Sequence, residues 1–378
     1  MLVTGYAYPW DVEEPGFLDR VQSLGVDEVV VAGAYHTARA ATPWSVTRSA
    51  MVAEYAAFYR PVRAEAWSGH QLRPSPAHWV DSPDSAGDAV RTLNAAGVRS
   101  GLWLVFTHNS LLGKAFPELT VRNCFGESYS WALCPSRAAV RDYAATLAAE
   151  SVRDLDVHTV ILESVGPMGV GHQYMHEKTD GVWSPAVARL LSVCCCPACG
   201  VSPEVVALLR AEVRRLLDTG DLGLTADALP ADVAAELLAA RQKSVDALRA
   251  RILAALGRPA RLVLHGHPDP WVTGALPGLT PGAATDVDSV VVPCWQPGPA
   301  SIDVVRTAAS STVDIGAYVT GVAANPVPDM AGYIRDLAAG GASELHLYHL
   351  GLAGPGRFEH LRAAVAAAHG EPSPAVGR

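Results

Sequence analysis

Short runs of consecutive apolar, often β-branched residues recur along the chain, and each closes on polar or aromatic residues. They fall at Val3–Ala7, Glu28–Ala32, Gly101–Phe106, Thr159–Leu162, Arg261–Leu264, Ser289–Val292, Asp314–Tyr318 and Glu344–Tyr348. Runs this continuous suit parallel strands covered on both faces, not half-exposed strands that alternate. Between most of them the apolar positions recur at helical spacing, in Pro15–Leu24, Ala86–Ala96, Ala138–Asp154, Pro203–Asp218, Ala231–Leu256, Ile302–Ser310, Met330–Ala338 and Arg357–Ala368. Gly25, Gly97, Gly257 and Gly341 stand where those helices should end and a left-handed residue is wanted. Strand–helix alternation repeated eight times predicts an α/β chain folded as a (β/α)8 TIM barrel, with a doubly wound open sheet as the competing arrangement. Gly266–Asp288, rich in Pro and Gly, predicts one irregular crossover.

Two insertions follow strands two and four, at the barrel face where loops carry function. Ala34–Asp84 holds a further strand expected over Ala53–Arg60, and Ser164–Gly200 gathers Gly, His and Cys. The expected organisation is one barrel domain over residues 1–369 and a flexible tail, Gly370–Arg378.

Composition narrows the class. In 378 residues, 49% hydrophobic and 18% charged, there is ample material for one large core. A net charge of −9 gives no electrostatic reason to expect nucleic acid or an anionic membrane as partner. No apolar run approaches the roughly 18 residues that span a bilayer. Met1 leads almost directly into a strand, so no export signal is expected and a reducing, cytoplasmic setting follows. There, clustered cysteines are more often metal ligands or reactive thiols than disulfides.

Six of the seven cysteines lie between Cys124 and Cys199, and Cys194, Cys196 and Cys199 form Cys-x-Cys-x-x-Cys. Zinc wants about four thiolate or imidazole ligands at about 2.3 Å or less, and this spacing aims three sulfurs at one point. Cys134 is taken as the fourth ligand, and Cys195 then points away. Such a filled site is structural, pinning the long loop after strand four. Cys294, at the end of strand six, reads as a packed core thiol.

Cys134-Pro135-Ser136, the helix to Glu150, the strand Thr159–Glu163 and then Cys194–Cys199 together resemble family 42 glycoside hydrolases, the β-galactosidase barrels. The resemblance covers about residues 130 to 200. It implies Cys134, Cys194, Cys196 and Cys199 as zinc ligands and Glu163 as general acid/base. Leu162 stands where that family has Asn, and Tyr318–Asn325 holds no carboxylate where it has its nucleophilic Glu. The chain is thus similar to a distant member of the wider glycosidase-like barrels.

Glycoside hydrolysis usually employs two carboxyls, about 5–5.5 Å apart for a covalent intermediate and about 6.5–9.5 Å apart for direct attack by water. Besides Glu163, the candidate partners are Asp269, after strand five, and Asp11, after strand one. Sugar sites combine aromatic faces with amides and imidazoles that bond hydroxyls. Trp10, Trp271 and Trp295 are the candidate platforms, with Tyr35, His36, His108, Asn109, His265 and Tyr348 at other strand ends. His172, His176 and Lys178 in the loop after strand four are candidates for substrate contact. The expected activity is a glycoside-hydrolase-like reaction on a carbohydrate or glycoside, with structural Zn²⁺ and oligomerisation left open. One alternative is a carbohydrate-binding relative without turnover. Another is a metal-dependent isomerase or hydrolase using His172, His176, His265 and His267.

Overall fold

The computed structural model describes residues 1–171, 178, 179, 181–257, 260–309 and 313–371. Eight parallel strands run in chain order: β1 (Leu2–Ala7), β2 (Glu28–Tyr35), β3 (Arg99–Val105), β4 (Thr159–Glu163), β5 (Arg261–His265), β6 (Ser289–Pro293), β7 (Asp314–Thr320) and β8 (Glu344–Tyr348). Each pairs with its neighbour in sequence, through β4–β5 and β7–β8 among others. β1 pairs in parallel with both β2, Gly5 opposite Val29, and β8, Val3 opposite Leu345. The sheet therefore closes, which excludes the open, doubly wound arrangement and leaves a (β/α)8 barrel.

Strand burial explains the continuous apolar runs. All eight residues of β2 are buried, because one face packs inside the barrel and the other lies under helices. Helices Phe17–Leu24, Ser85–Ala95, Ala138–Val152, Pro299–Ala308, Met330–Ala339 and Pro355–His369 lie in the outer layer. The first ends on Gly25, whose φ of 77° only glycine adopts without strain. Between β5 and β6 the crossover carries only the short helix Ala283–Asp286, as the Pro/Gly-rich stretch foretells.

The loops depart from the sequence reading. The single strand expected over Ala53–Arg60 is broken at Glu54–Ala56. Ala50–Ala53 pairs back on Ala38–Ala41 as a hairpin, and Ala57–Phe58 adds antiparallel to the end of β2. A further excursion after β3 has no counterpart in the sequence reading. It contains helix Ser110–Ala115 and the hairpin of Thr120–Arg122 with Ser128–Leu133.

That hairpin starts a second core. Val121, Trp131, Leu190, Leu209, Val213 and Leu237 are buried together, apart from the main barrel core. Helices Pro185–Leu191 and Pro203–Asp218 supply much of it. Each buried Leu or Val contributes about 1.5–3 kcal/mol. The loop after β4 is thus built on its own apolar cluster, beside the mouth formed by the C-terminal ends of the strands.

Candidate functional site

Residues two apart along a strand share a face, so Thr159, Ile161 and Glu163 project together from β4. Glu163 closes the strand, is 3% exposed and accepts a hydrogen bond from Trp103 Nε1 at 2.7 Å. His265, from the adjacent β5, places Nδ1 3.3 Å from Glu163 Oε2, within ion-pair range but out of line for a hydrogen bond. Ser164 follows in the left-handed region at φ 56°, strain of order 1–3 kcal/mol for a non-glycine residue. It is held there because its N–H donates to Ala275 O and its carbonyl accepts from Thr107 Oγ1 at 2.9 Å. Such over-determined strain fixes the angle at which Glu163 is presented.

The mouth above Glu163 is an open cavity of about 800 Å³. Tyr35, His36, Trp103, Trp295 and Tyr348 line it with Glu163, and Tyr318 and Thr320 complete one wall. His36 stacks on Tyr35 with ring centroids 4.2 Å apart. Trp295 is 42% exposed, an indole held open to solvent at the rim. Among the described lining residues Glu163 is the single carboxylate. Burial pushes its carboxyl up, but His265, His36 and the Trp103 N–H outweigh that and hold it below the ordinary Glu value. Burial keeps His265 below the ordinary His value despite Glu163 beside it. The pair therefore rests as a carboxylate and a neutral imidazole.

The other candidates divide. Tyr35, His36, Trp295 and Tyr348 join Glu163 at the mouth; His265 lies fully buried beneath it. His108 is buried behind His36, ring centroids 4.4 Å apart. Asn109 has a structural task, its side chain accepting from Leu112 N at 2.9 Å to cap helix Ser110–Ala115. Trp10 is a core residue, 0% exposed and stacked on Tyr8. Trp271 lines a separate cavity of about 500 Å³ beside Cys134 and Cys199, with Arg189 over its ring. Lys178 is exposed. His172 and His176 lie outside the described residues.

Neither candidate partner carboxylate lines the mouth. Asp269 is spent on a local turn, accepting from Trp271 N at 2.9 Å. Asp11 is buried and accepts from Tyr8 N at 2.8 Å. Burial raises its carboxyl to about 7, against which the Tyr8 N–H pulls only in part. The folded chain thus holds this proton more tightly than the unfolded one. Stability from this group is full below about pH 4 and falls as pH rises towards 7. Asp11→Asn, which keeps an acceptor for Tyr8 and removes the charge, is expected to raise the melting temperature at pH 8. The gain is on the order of a few kcal/mol and shrinks at pH 5. Thermal denaturation of both proteins at the two pH values checks this; an equal difference at both would refute it.

Two lining groups missed in the sequence, Trp103 and Tyr318, leave a trace there. Each sits two residues along its strand from a glycine, Gly101 or Gly316, where the interior is crowded. A Cβ on Gly101 would lie 2.5 Å from Thr159 O, and one on Gly316 2.7 Å from His346 Cδ2. Glycine below and a large ring above on one face is the signal.

The four cysteines meet. Cys134 Sγ lies 3.7 Å from the sulfurs of Cys194, Cys196 and Cys199, and Cys196 lies 3.7 Å from Cys199. A tetrahedral ion with metal–sulfur bonds of about 2.3 Å has sulfur–sulfur edges of about 3.8 Å. The group therefore has the dimensions to hold a metal ion. Arg122 N–H donates to Cys194 Sγ at 3.4 Å, and Ser136 Oγ lies 3.2 Å from Cys199 Sγ, contacts that orient ligand thiolates. Cys195 turns its sulfur towards Val193 O instead. Cys294 is a fully buried core thiol. Among the described residues no other group of three or more His, Cys, Asp or Glu has this proximity, so His265 and His267 form no second centre there.

No protein-family model matches the chain, and no curated protein matches it in sequence. Solved structures share its fold. Superposition on α-L-fucosidase isoenzyme 2 from Paenibacillus thiaminolyticus gives a TM-score of 0.56 at 11% identity, over 97% of this chain and 49% of that one. The catalytic domain of β-amylase from Paenibacillus polymyxa gives 0.55 at 12%, over 98% of both chains. The β-galactosidase of the psychrophilic Marinomonas ef1 gives 0.53 at 12%, over 99% of this chain and 61% of that one. The chain thus spans about half of the fucosidase and nearly all of the amylase domain; at these identities the likeness is one of fold.

Proposed function

We propose that this chain is a glycoside-hydrolase-like barrel whose mouth takes a carbohydrate or glycoside, with Glu163 as its acid/base and a structural zinc ion on Cys134, Cys194, Cys196 and Cys199. The observation that carries the reading is a buried carboxylate at the end of β4 under an aromatic-walled, solvent-open cavity. Aromatic rings cover the C–H faces of sugars, while His36, Thr320 and the tyrosine hydroxyls offer partners for hydroxyl groups. Fold neighbours described as fucosidase, amylase and galactosidase support the class of ligand without selecting one. The family 42 assignment remains part of this proposal, resting on the cysteine and Glu163 pattern.

Glu163 rests as a carboxylate, ready to take a proton from water or a hydroxyl; to donate, it must first be charged with one. Because no second carboxylate lines the mouth among the described residues, a retaining pair is not assembled from them. That observation favours a second reading, a carbohydrate-binding relative without turnover.

Screening aryl glycosides for turnover, with binding followed by tryptophan fluorescence, separates the two. Trp295→Ala is expected to weaken binding about tenfold, since a ring stacked on a ligand is worth about 0.5–1.5 kcal/mol beyond area. Quenching with turnover supports the enzyme, quenching alone the binding protein. An unchanged affinity in Trp295→Ala would remove the mouth as the site.

A further inference from the structure

The mouth holds a charge that its walls do not answer. Glu163 Oε2 accepts from Trp103 Nε1 at 2.7 Å, but Oε1 has no hydrogen-bond partner among the described residues. Nor is Oε1 sealed in; it keeps surface on the cavity. The described walls contain no Lys and no Arg, and His36 is their one side chain able to turn positive. Its Nδ1 lies 2.8 Å from Thr37 O, which can only accept, so the neutral ring carries its hydrogen there and a lone pair on Nε2. Burial pushes the hydroxyls of Tyr35, Tyr318 and Tyr348 up, and they stay neutral phenols. Glu163 itself rests ionised. Near neutral pH the described walls therefore present one negative charge, with one of its oxygens open to a ligand.

The rings around that charge do not form a single platform. Tyr348 stands at 88° to Trp103 and at 87° to Tyr318, with centroids 6.3 and 5.9 Å apart. Tyr35 meets Trp103 at 62° and 4.5 Å, and Trp295 meets Tyr318 at 59° and 6.0 Å. A flat sugar face stacks on one ring. Rings turned across one another enclose a compact group instead, and a cation is attracted within about 6 Å of a ring centroid. Centroids this close let one cation lie within that reach of several rings.

A neutral hydroxyl also donates to Oε1, but an ammonium gains more. Its hydrogen bond to the carboxylate is charge-assisted at both ends, and the rings attract it where they do nothing for a hydroxyl. An anionic ligand would meet Glu163 with no Lys or Arg to offset it. The net charge of −9 over the whole chain favours the approach of cations as well. Desolvation of the ammonium opposes these gains. The cavity is open to solvent at the rim, where Trp295 is 42% exposed, so a bound ammonium gives up only part of its water.

We infer that the mouth selects a ligand bearing a compact ammonium group, an amino sugar or a quaternary ammonium compound, with the charge on Glu163 Oε1 inside the crossed rings. The inference rests on the mouth being the ligand site, as proposed above, and not on cleavage. An ammonium on Oε1 keeps the carboxylate ionised, so such a ligand is held in place and shuts neutral glycosides out.

Binding followed by tryptophan fluorescence tests this at about pH 6.5, where an amine beside hydroxyls, like an α-amino group, is mostly protonated. Galactosamine is set against galactose, and choline against its uncharged tert-butyl analogue, which keeps the shape without the charge. The charged member is expected to bind at least about tenfold tighter. An advantage in the galactosamine pair identifies an amino sugar as the ligand, and one in the choline pair alone a free ammonium compound. In Glu163→Gln the advantage should fall to about twofold or less, while neutral galactose binds within a few-fold of before. Equal affinities within both pairs would overturn the inference, and so would an advantage that survives Glu163→Gln, which would mark general attraction to an acidic chain. Tyr348→Leu is the second check should Glu163→Gln not fold. It keeps the carboxylate, removes one crossed ring and should cut the advantage about threefold; an unchanged advantage would overturn the inference. Galactose binding with no advantage for either cation would fail this inference alone, whereas no response to any of the four compounds would remove the mouth as a ligand site and the earlier reading with it.

Discussion

Glu163→Gln is expected to abolish most glycoside turnover, by about 10²–10⁴-fold, the usual worth of a positioned acid/base, while sugar affinity changes only a few-fold. The amide has the shape of the carboxyl it replaces, so its carbonyl still accepts the Trp103 N–H now given to Glu163 Oε2 at 2.7 Å. In the proposed site the ligand would rest on the cavity walls, Tyr35, Trp295 and Tyr348 among them, which the change leaves in place. What disappears is the ability to hold and release a proton. Stability should fall somewhat at neutral pH, since His265, His36 and the Trp103 N–H favour the charged form of Glu163 in the folded chain and the amide forgoes that gain. Melting temperature, fluorescence titration and turnover measured on the same preparations separate these effects. Turnover within tenfold of the wild type would remove Glu163 from the chemistry.

The second large effect concerns the cysteines. Metal analysis of the purified chain is expected to find one zinc per molecule, and Cys134→Ser or a strong chelator to release it. Four sulfurs mutually within 4.8 Å, at tetrahedral edge lengths, otherwise confine thiols together for no gain. Zinc bound only by the folded state contributes its binding energy to folding, so its loss should cost several kcal/mol. The damage should begin in the second core. Cys134 and Cys196 belong to it, together with Trp131, whose Nε1 donates to Gly169 O at 3.0 Å. Loss of tryptophan signal before barrel helicity, followed by fluorescence and circular dichroism on heating, is the expected sequence. An apo protein with the melting curve of the holo protein would show that the cysteines carry no structural metal.

The two sites are joined along the chain. Strand β4 ends at Glu163, and the segment that follows leads to Cys194, Cys196 and Cys199. Ser164, just beyond Glu163, is tied to Thr107 and Ala275. Cys134 anchors the same segment to the hairpin after β3. Anchoring both ends of a long loop reduces the conformational freedom that would blur the carboxylate's position.

The barrel was legible in the chain because burial of both faces of a strand forces continuous apolar runs, and eight of them with helical spacers admit few arrangements. The cysteine spacing and the acid at the end of Thr159–Glu163 were legible for the same local reason: the residues that define them are close in sequence or mark the end of an element. The fates of Asp11 and Asp269 were not. Both follow strands, yet one turns under the mouth to Tyr8 N and the other closes its own loop. The contacts of Tyr6 with His265 and His346 were beyond any local pattern, although the alternation Glu344-Leu345-His346-Leu347-Tyr348 hints at a polar inner face. Those residues lie hundreds of positions apart and meet only because β1 closes against β8. Apolar periodicity is a property of neighbours in sequence and specifies each element. Which polar groups share a dry interior is set by strand register around a closed sheet, and only the assembled barrel decides that.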